Sequence, residues 1–234
     1  MKYSITGVIN EYPGINIGVL VGRDMDNKRQ IPELFQLQKK AIRSAQEQIG
    51  DQPPTQHPHI ASWRELYKSF GTKPGDYRPS AEALIRRTLK TGDLPRINNA
   101  VDLYNIVSVK HVIPMGGFDL DNVDGDIYLR FSRGSESFIP LGPAEVEQTY
   151  PGEAVYADDS RILTRRWNYR DADATKITED TKNLVMFLDA TPEIPLVKVL
   201  EAIDELRVLY ETHCGGEYTS SVVSIEKPVI ELGG

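Results

Sequence analysis

A chain of 234 residues with 40% hydrophobic and 26% charged residues can bury a substantial core without disulfides, which argues against an intrinsically disordered protein. The 27 Lys and Arg stand against 34 Asp and Glu, and a net charge of −7 argues against a protein that coats DNA through bulk charge. No apolar run approaches the roughly 20 residues that cross a bilayer. With a single cysteine and no basic-then-apolar start, the sequence predicts a cytoplasmic protein without membrane contact.

The first half of the chain predicts one strand followed by helices. Alternating apolar residues that start at Ile15 are typical of a strand with one buried face. Apolar residues then recur at helical spacing in four segments. Ser80 stands where it could cap the third helix, and Gly92 stands where it could end that helix in a left-handed conformation. The strand is predicted over 14–22, and the helices over 28–48, 62–70, 81–91 and 97–109.

The second half predicts short strands and one more helix. Pro114, Gly116 and Gly117 are expected to break the chain after the fourth helix. Beyond them, short apolar segments separated by Gly, Asp and Pro are typical of strands. Pro195 is placed to open a helix that carries one apolar stripe. The strands are predicted over 127–131, 137–141, 154–157, 161–163, 184–188 and 222–225, and the helix over 196–213.

The order of these elements favours an α+β fold. Strands and helices are grouped along the chain rather than strictly alternating, which argues against a doubly wound parallel sheet. The sequence contains no internal repeat and no clear linker. We therefore expect a single compact domain over residues 1–234, with mixed or antiparallel sheet structure and packed helices.

The common motifs of metal and nucleotide sites are missing from the sequence. The acidic run from Asp119 to Asp126 resembles a calcium loop, but Asp124 and Arg130 stand where that loop needs Gly and Glu, so a turn is expected. The four histidines have neither HExxH spacing nor a cysteine pair beside them. GxGxxG, Walker and GxSxG motifs are also missing. We expect neither a metal nor a cofactor.

Three clusters of polar residues lie within segments that are otherwise predicted to be structured. Buried amides, carboxylates and guanidinium groups need partners, which are either one another or a polar ligand. The residues alone leave both interpretations open. Arginines near the third cluster mark where a polyanion would bind, and a solvated surface is the alternative. The clusters are 73–79, 98–105 and 165–171, and the arginines are Arg161, Arg165, Arg166 and Arg170.

Motifs in the middle of the chain resemble one known family. In chain order they include GTKPGDYRPSAEALIRR, VDLYN, GGFDLDNVDG, YPGEAVYADD and RRWNYRDADATKITEDTKNLVMFLDA. Over residues 71–190 the chain resembles the tRNA-binding and editing module formed by the third and fourth B domains of the bacterial phenylalanyl-tRNA synthetase β subunit, in a free-standing form. The resemblance implies an α+β fold, a pocket of amino-acid size, and RNA binding with a tRNA 3′ end or aminoacyl-tRNA as partner.

The resemblance also indicates particular site residues. The asparagine of the family's VDxxN motif corresponds to Asn105, and a glutamate at a strand turn corresponds to Glu136. The family's editing histidine falls on Gly116 and its pocket glutamate falls near Phe187. Because both of these side chains are replaced, we expect a ligand other than tyrosine. The chain has no room for an aminoacylation core, so neither ATP use nor tRNA charging is expected.

The leading hypothesis is a protein that binds mischarged aminoacyl-tRNA and hydrolyses its ester in trans. One alternative is a non-catalytic module for an amino acid or a similar small polar ligand, and another is a protein-interaction scaffold whose polar network is structural; no DNA partner is expected. Trp167 is either a base-stacking residue or a core residue. The predicted site comprises Asn105, Glu136 and Asp171 for catalysis, Asn98, Asp102, Trp167, Asn168 and Arg170 for substrate binding, and Arg161, Arg165 and Arg166 for RNA binding. Of these, Asn105, Glu136, Trp167, Asn168, Arg170 and Asp171 are expected to converge on one concave site.

Overall fold

The computed structural model describes residues 1–142 and 145–233, which form five α-helices and twelve strands. The helices are Leu34–Ile49 (α1), Pro58–Ser69 (α2), Ser80–Thr91 (α3), Asn99–His111 (α4) and Leu196–Cys214 (α5). The strands are Lys2–Ser4 (β1), Asn16–Arg23 (β2), Met115–Asp119 (β3), Ile127–Phe131 (β4), Ser137–Phe138 (β5), Glu147–Gln148 (β6), Ala154–Ala157 (β7), Ile162–Arg165 (β8), Arg170–Asp171 (β9), Leu184–Ala190 (β10), Glu217–Val223 (β11) and Val229–Glu231 (β12). Short 3₁₀ helices lie at Pro54–Gln56 and Leu120–Asn122.

Two sheets form the body of the fold. The larger sheet has the strand order β12, β1, β4, β7, β8, β9, in which β1 and β4 are parallel and the other neighbours are antiparallel. The second sheet is antiparallel and has the order β11, β2, β10, β3. Strands β5 and β6 form a separate pair. The predicted α+β class with mixed and antiparallel sheets is therefore confirmed.

One apolar core joins both sheets to the helices. Strand β10 is buried along its whole length because β2 and β3 flank it and helix α5 packs against the same sheet. Helix α4 packs against α1 and α5, and most of its residues are buried. The core extends from Tyr3 near one end of the chain to Leu232 near the other. Burial of each large apolar side chain contributes about 1.5–3 kcal/mol, so this core is the main source of stability.

All five helices lie where predicted, with first residues that differ by up to six positions and last residues that differ by up to two. Helix α1 begins at Leu34 rather than at residue 28, because Pro32 disfavours helical geometry at the residue before it. Helix α2 begins earlier than predicted, with Pro58 in the first turn where its missing N–H costs nothing. Ser80 is the first residue of α3 and not its cap, and its buried hydroxyl finds no partner among the described residues. Gly92 ends α3 with a φ of 69°, as predicted.

The strands depart more from the prediction. Gly116 and Gly117 lie inside β3 instead of breaking the chain. A Cβ on Gly117 would lie 2.4 Å from both Met186 Sδ and the Val185 carbonyl oxygen, so glycine is what lets β3 pair with β10. The sequence pattern does not predict the three-residue strands β1 and β12. Strand β11 covers 217–223 rather than 222–225, and β5 ends at Phe138 rather than at residue 141.

Candidate active site

A cavity of about 340 Å³, which we call the main cavity, opens beside helices α3 and α4. Its apolar lining includes Met115 and Phe118 from β3 and Phe187 from β10. Polar side chains from α4, β7 and the hairpin of β8 and β9 reach the same cavity. They are Asn105, Tyr156, Thr164, Asn168 and Asp171, joined by Asp189 from β10. A mostly apolar wall with a few converging polar groups is typical of a site for a small ligand or for part of a larger one.

Asp189, the residue before the last in strand β10, is at the centre of a buried hydrogen-bond network. Its Oδ1 accepts a hydrogen bond from the Tyr156 hydroxyl at 2.6 Å, and its Oδ2 accepts one from Asn168 Nδ2 at 3.2 Å. The Tyr67 hydroxyl donates to Asn168 Oδ1 at 2.8 Å, and the Tyr3 hydroxyl donates to that of Tyr156 at 3.2 Å. Burial raises the pKa of Asp189 to about 6, although the two hydrogen bonds oppose the shift.

Asp171 supplies a second carboxyl to the same cavity. Its Oδ1 accepts a hydrogen bond from the Thr164 hydroxyl at 2.6 Å, and no Lys, Arg or His of the described chain forms an ion pair with it. Burial raises the pKa of Asp171 to about 6. The charge of Asp171 in turn raises the pKa of Asp189. Two such carboxyl groups in one cavity without a paired cation favour a cationic ligand and are typical of functional sites.

Helix α4 contributes two polar side chains that remain free to bind a ligand. Tyr104 and Asn105 both line the cavity, and neither side chain makes a hydrogen bond within residues 1–142 and 145–233. Burial raises the pKa of Tyr104 above its ordinary value, and the charges of Asp171 and Asp102 raise it further. The Tyr104 hydroxyl therefore stays protonated and is a potential donor. Asn105 is 8% exposed, so its side-chain amide is largely removed from water without a hydrogen bond in exchange. This costs free energy, which hydrogen bonds to a ligand would offset.

The turn between β8 and β9 holds Asn168 in the cavity wall. The two residues before it, Arg166 and Trp167, have φ values of 49° and 65°, which are rare for residues other than glycine. Trp167 packs against Trp63 with ring centroids 5.4 Å apart, and its backbone N–H donates to the Ala154 carbonyl at 2.7 Å. Its indole N–H lies near Asp189 and lowers that pKa, but without the geometry of a hydrogen bond. Strong packing thus maintains a strained turn at the site.

Four of the six residues expected to converge do line this cavity: Asn105, Trp167, Asn168 and Asp171. The expectation is wrong for Glu136 and Arg170. Glu136 lines a different cavity, where Arg130 donates to it at 2.6 and 3.1 Å and holds its pKa at about 2. Arg170 points to Glu147, 3.5 Å away, and to the Leu141 carbonyl. Both side chains are therefore occupied by neighbours outside the main cavity.

Asn98 and Asp102 have structural partners at the start of α4. Asn98 is the N-cap of the helix, since its side-chain oxygen accepts the Val101 N–H at 3.1 Å. Asp102 accepts hydrogen bonds from Arg96 Nε at 2.9 Å and from the Ile97 N–H at 2.8 Å. Neither lines the main cavity. These contacts correspond to the internal network that the sequence left open as an alternative.

The arginines predicted to meet RNA make internal contacts. Arg165 is buried, and its guanidinium donates two hydrogen bonds of 2.8 Å to Glu153. Arg161 donates to Asp158 and to a backbone carbonyl. The guanidinium of Arg166 is buried, with its central carbon 3.7 Å from the Tyr77 ring centroid. These arrangements argue against phosphate contacts by Arg165 and Arg166, since both guanidinium groups are covered by the protein.

Sequence reasoning did not single out Asp189, Tyr156 or Tyr104. Asp189 follows the apolar run 184–188, and a carboxylate at the end of a buried strand is a signal because it needs a partner. Tyr104 lies in the VDLYN motif beside Asn105, where it reads as one more apolar helix residue. Gly116 and Phe187 are direct neighbours across β3 and β10. These are the two positions to which the resemblance assigns the family's histidine and glutamate, and both line the cavity.

Comparison with known proteins identifies the family. Residues 62–199 match the B3/4 domain family, and because this match covers more than half of the chain, the protein belongs to that family. Two curated relatives are phenylalanine–tRNA ligase β subunits: that of Chromobacterium violaceum is 37% identical over 81 residues, 35% of this chain, and that of Fusobacterium nucleatum is 30% identical over 100 residues, 43% of this chain. The matched segments cover 10% and 12% of those proteins, so the chain spans only a small part of their length. The expected resemblance to a module of this β subunit is confirmed.

A solved structure is similar to this chain over much of its length. An N-terminal fragment of the phenylalanyl-tRNA synthetase β subunit from Pyrococcus horikoshii aligns with 92% of this chain and 49% of its own, at 16% identity and a TM-score of 0.44. Within the described residues of the present chain, no helix is both long and apolar enough to span a membrane. No group of three His, Cys, Asp or Glu side chains in that part of the protein is arranged to hold a metal ion.

Proposed function

We propose that this protein binds the aminoacyl end of a tRNA in the main cavity and hydrolyses the ester between amino acid and RNA. The observation that carries the proposal is the pair Asp171 and Asp189, two carboxyl groups with raised pKa values in a cavity of about 340 Å³. Membership of the B3/4 family and the likeness to tRNA ligase β subunits favour an amino acid linked to RNA over other esters.

The two carboxyl groups are suited to different tasks. Asp189 is 2% exposed and held by two hydrogen bonds, so it is a fixed negative charge for the ammonium group of the ligand. Asp171 is more exposed and is held by one hydrogen bond, so it can accept a proton from an attacking water molecule. The free amide of Asn105 is positioned to orient the aminoacyl group. Catalysis then depends mainly on orientation, with Asp171 as the base.

Contacts to RNA phosphates are proposed for the exposed edge of α3. Arg87 lines the rim of the cavity, is exposed, and forms no ion pair within the described residues. Lys90, three residues further along the helix, is also exposed and shares this side. These two cations replace the arginines that the sequence indicated, because those make internal contacts.

A non-catalytic site for a free amino acid or a similar small cation is the second candidate. The net charge of −7 favours it, since a polyanion would be repelled from most of the surface. In that case the same carboxyl groups would bind the ligand's ammonium group, and no ester would be cleaved.

The test is a hydrolysis assay on a panel of correctly and wrongly charged tRNAs, with spontaneous hydrolysis subtracted. At least one aminoacyl-tRNA should be hydrolysed by the parent protein. Its kcat/KM should fall below pH 6, because the base must be ionised and the pKa of Asp171 is about 6. Asp171→Asn should lower kcat on the order of 10²–10⁴-fold.

The matched control is Asp204→Asn on helix α5, where an exposed aspartate pairs with Arg207 and does not line the cavity. This variant should keep full activity. If the parent protein hydrolyses no ester of the panel, the hydrolase proposal fails. Calorimetry with free amino acids then tests the second candidate, which requires binding that Asp189→Asn weakens.

A further inference from the structure

The second sheet ends at strand β11, which has seven residues and pairs with β2 on one side. Every second residue of such a strand directs its N–H and C=O groups away from the neighbouring strand. On the outer side of β11 these groups have no hydrogen-bond partner among residues 1–142 and 145–233. The backbone of β11 is therefore able to bind one more strand.

The other strand edges in the described part of the chain are short or covered. Natural proteins protect edge strands by small length, Lys, Pro or a bulge. Strand β12 has three residues, and β5, β6 and β9 have two each, while β3 lines the main cavity. Strand β11 has none of these protections, since its sequence is EYTSSVV and its register with β2 runs without a bulge. An edge of this length is where a strand of another chain adds to a sheet.

The geometry points to a second copy of this chain as the occupant of that edge, paired antiparallel through β11 about a two-fold axis at Ser220. Ser220 is the middle residue of β11, so this axis pairs all seven residues of each strand. The two four-stranded sheets then form one continuous sheet. This inference concerns association and is independent of the proposed function.

The side chains of β11 are complementary to a second copy of themselves. About this axis Thr219 lies opposite Ser221, and hydroxyl pairs of this kind stabilise neighbouring strands. Glu217 is the one charged residue of the strand, and it lies opposite Val223 rather than opposite another glutamate. Two chains that each carry −7 repel one another over most of their surface. The uncharged strand is a place where two copies can meet without this repulsion.

Helix α5 adds apolar surface beside the same edge. It packs against β2 and β11, and Glu205 on one of its sides contacts Lys110 and His111 of α4. Leu196 and Leu200 lie four residues apart on the opposite side of the helix, toward the free edge, and are 44% and 47% exposed. In the pair both copies of α5 lie on the same face of the continuous sheet. These leucines are then covered between the two helices, which favours association.

Sedimentation velocity at several protein concentrations measures the pairing directly. The parent protein should show an equilibrium between monomer and dimer. Ser220→Lys should raise the dimer Kd at least about tenfold, because it places like charges opposite one another at the axis. Its circular-dichroism spectrum should match that of the parent, since Ser220 is exposed. The matched control is Ser137→Lys, at an exposed serine of strand β5, which should leave the Kd unchanged.

A mixture of two variants tests the position of the axis. Ser220→Glu should weaken the dimer as Ser220→Lys does, because either charge repels its own copy. An equimolar mixture of the two variants should form a heterodimer with a Kd close to that of the parent, since opposite charges then face each other across the strands. A variant that had failed to fold could not recover in this way.

Three results would overturn the inference. A parent protein that stays monomeric at every concentration excludes a second copy as the occupant of the edge. A dimer whose Kd is the same in Ser220→Lys and in the parent forms through a different surface. Charge variants that dissociate but do not recover on mixing exclude a two-fold axis at Ser220.

Discussion

Three aspartates near the site show how local surroundings determine the behaviour of one residue type. Asp171 and Asp189 line a cavity and have pKa values raised to about 6 by burial. Asp173 is two residues beyond Asp171, but it is solvated and accepts hydrogen bonds from Lys176, which lower its pKa. Position in the sequence does not distinguish them. The difference arises from the side chains that the fold places around each carboxyl group.

Asp171→Asn should stabilise the protein at neutral pH. The folded state raises the pKa of Asp171 from 3.8 to about 6, so it binds more protons than the unfolded state between these values, and the stability that this group contributes is lost as pH rises through that window. Asparagine does not ionise and avoids this loss. We expect a gain on the order of 1 kcal/mol at pH 7.5 and none at pH 4, measured by thermal melts across this range.

Asp173→Asn serves as the comparison, because it should change the stability at pH 7.5 in the opposite direction. Its pKa is lowered, so its ionised form stabilises the folded state above the ordinary pKa, and the variant should be less stable than the parent at pH 7.5. If Asp171→Asn and Asp173→Asn shift the melting temperature in the same direction at pH 7.5, the inferred burial of Asp171 is wrong.

Among the elements, the hairpin of β8 and β9 contributes most to the site. It carries Arg165, the strained pair Arg166 and Trp167, then Asn168, and it ends with Asp171. The fully buried Glu153 accepts hydrogen bonds from the Arg165 side chain and from the Arg166 backbone N–H. This carboxylate therefore anchors the first half of the hairpin.

Arg165→Ala should cost about 3–5 kcal/mol in unfolding free energy, because it leaves Glu153 charged and unpaired in the core. Denaturant unfolding measures this cost. Replacing both residues by Met should recover much of the loss, since an apolar pair leaves no unpaired charge. If Arg165→Ala instead keeps the stability of the parent but binds tRNA more weakly, Arg165 belongs to the RNA contact.

The sequence predicts the elements of this fold better than the site. Periodicity and capping residues indicate all five helices, and the apolar run before Asp189 indicates β10. The strand β3 is not predicted, because two glycines read as breakers until the close packing against Met186 is known. The sequence locates RRWNYRD as a polar cluster, but it cannot show that Arg165 pairs inward with Glu153 while Asn168 reaches the cavity. Such directions depend on contacts between residues far apart in the chain.

At the scale of the whole molecule, net charge limits how RNA could bind. The surface carries −7 overall, so the proposed phosphate contacts must be local. Among the arginines, Arg87 combines exposure with a place on the rim of the main cavity. Arg166, which the sequence favours, is covered by Tyr77 and the neighbouring rings.

Arg87→Ala should weaken tRNA binding and lower the slope of log affinity against log salt by roughly 1, because one phosphate contact no longer releases a counterion. Binding titrations at several salt concentrations measure both quantities. Arg43→Ala, on the exposed side of α1 away from the cavity lining, is the control and should leave the slope unchanged. Arg166→Ala should lower the melting temperature without changing the slope. If only Arg166→Ala reduces the slope, the RNA contact lies at Arg166 in the turn between β8 and β9 instead.

The hydrogen-bond network around Asp189 reaches beyond the segment that the family shares. Its outermost member, Tyr3, lies in β1, and strand β10 pairs along its whole length with β2, whereas the family match spans only residues 62–199. Removal of the residues before 62 would expose the edge of β10 that pairs with β2. It would also remove the Tyr3 hydroxyl, which donates to that of Tyr156. The site therefore depends on residues outside the segment that matches the family. In this chain, residues outside 62–199 supply both the strand β2 beside β10 and the hydroxyl of Tyr3.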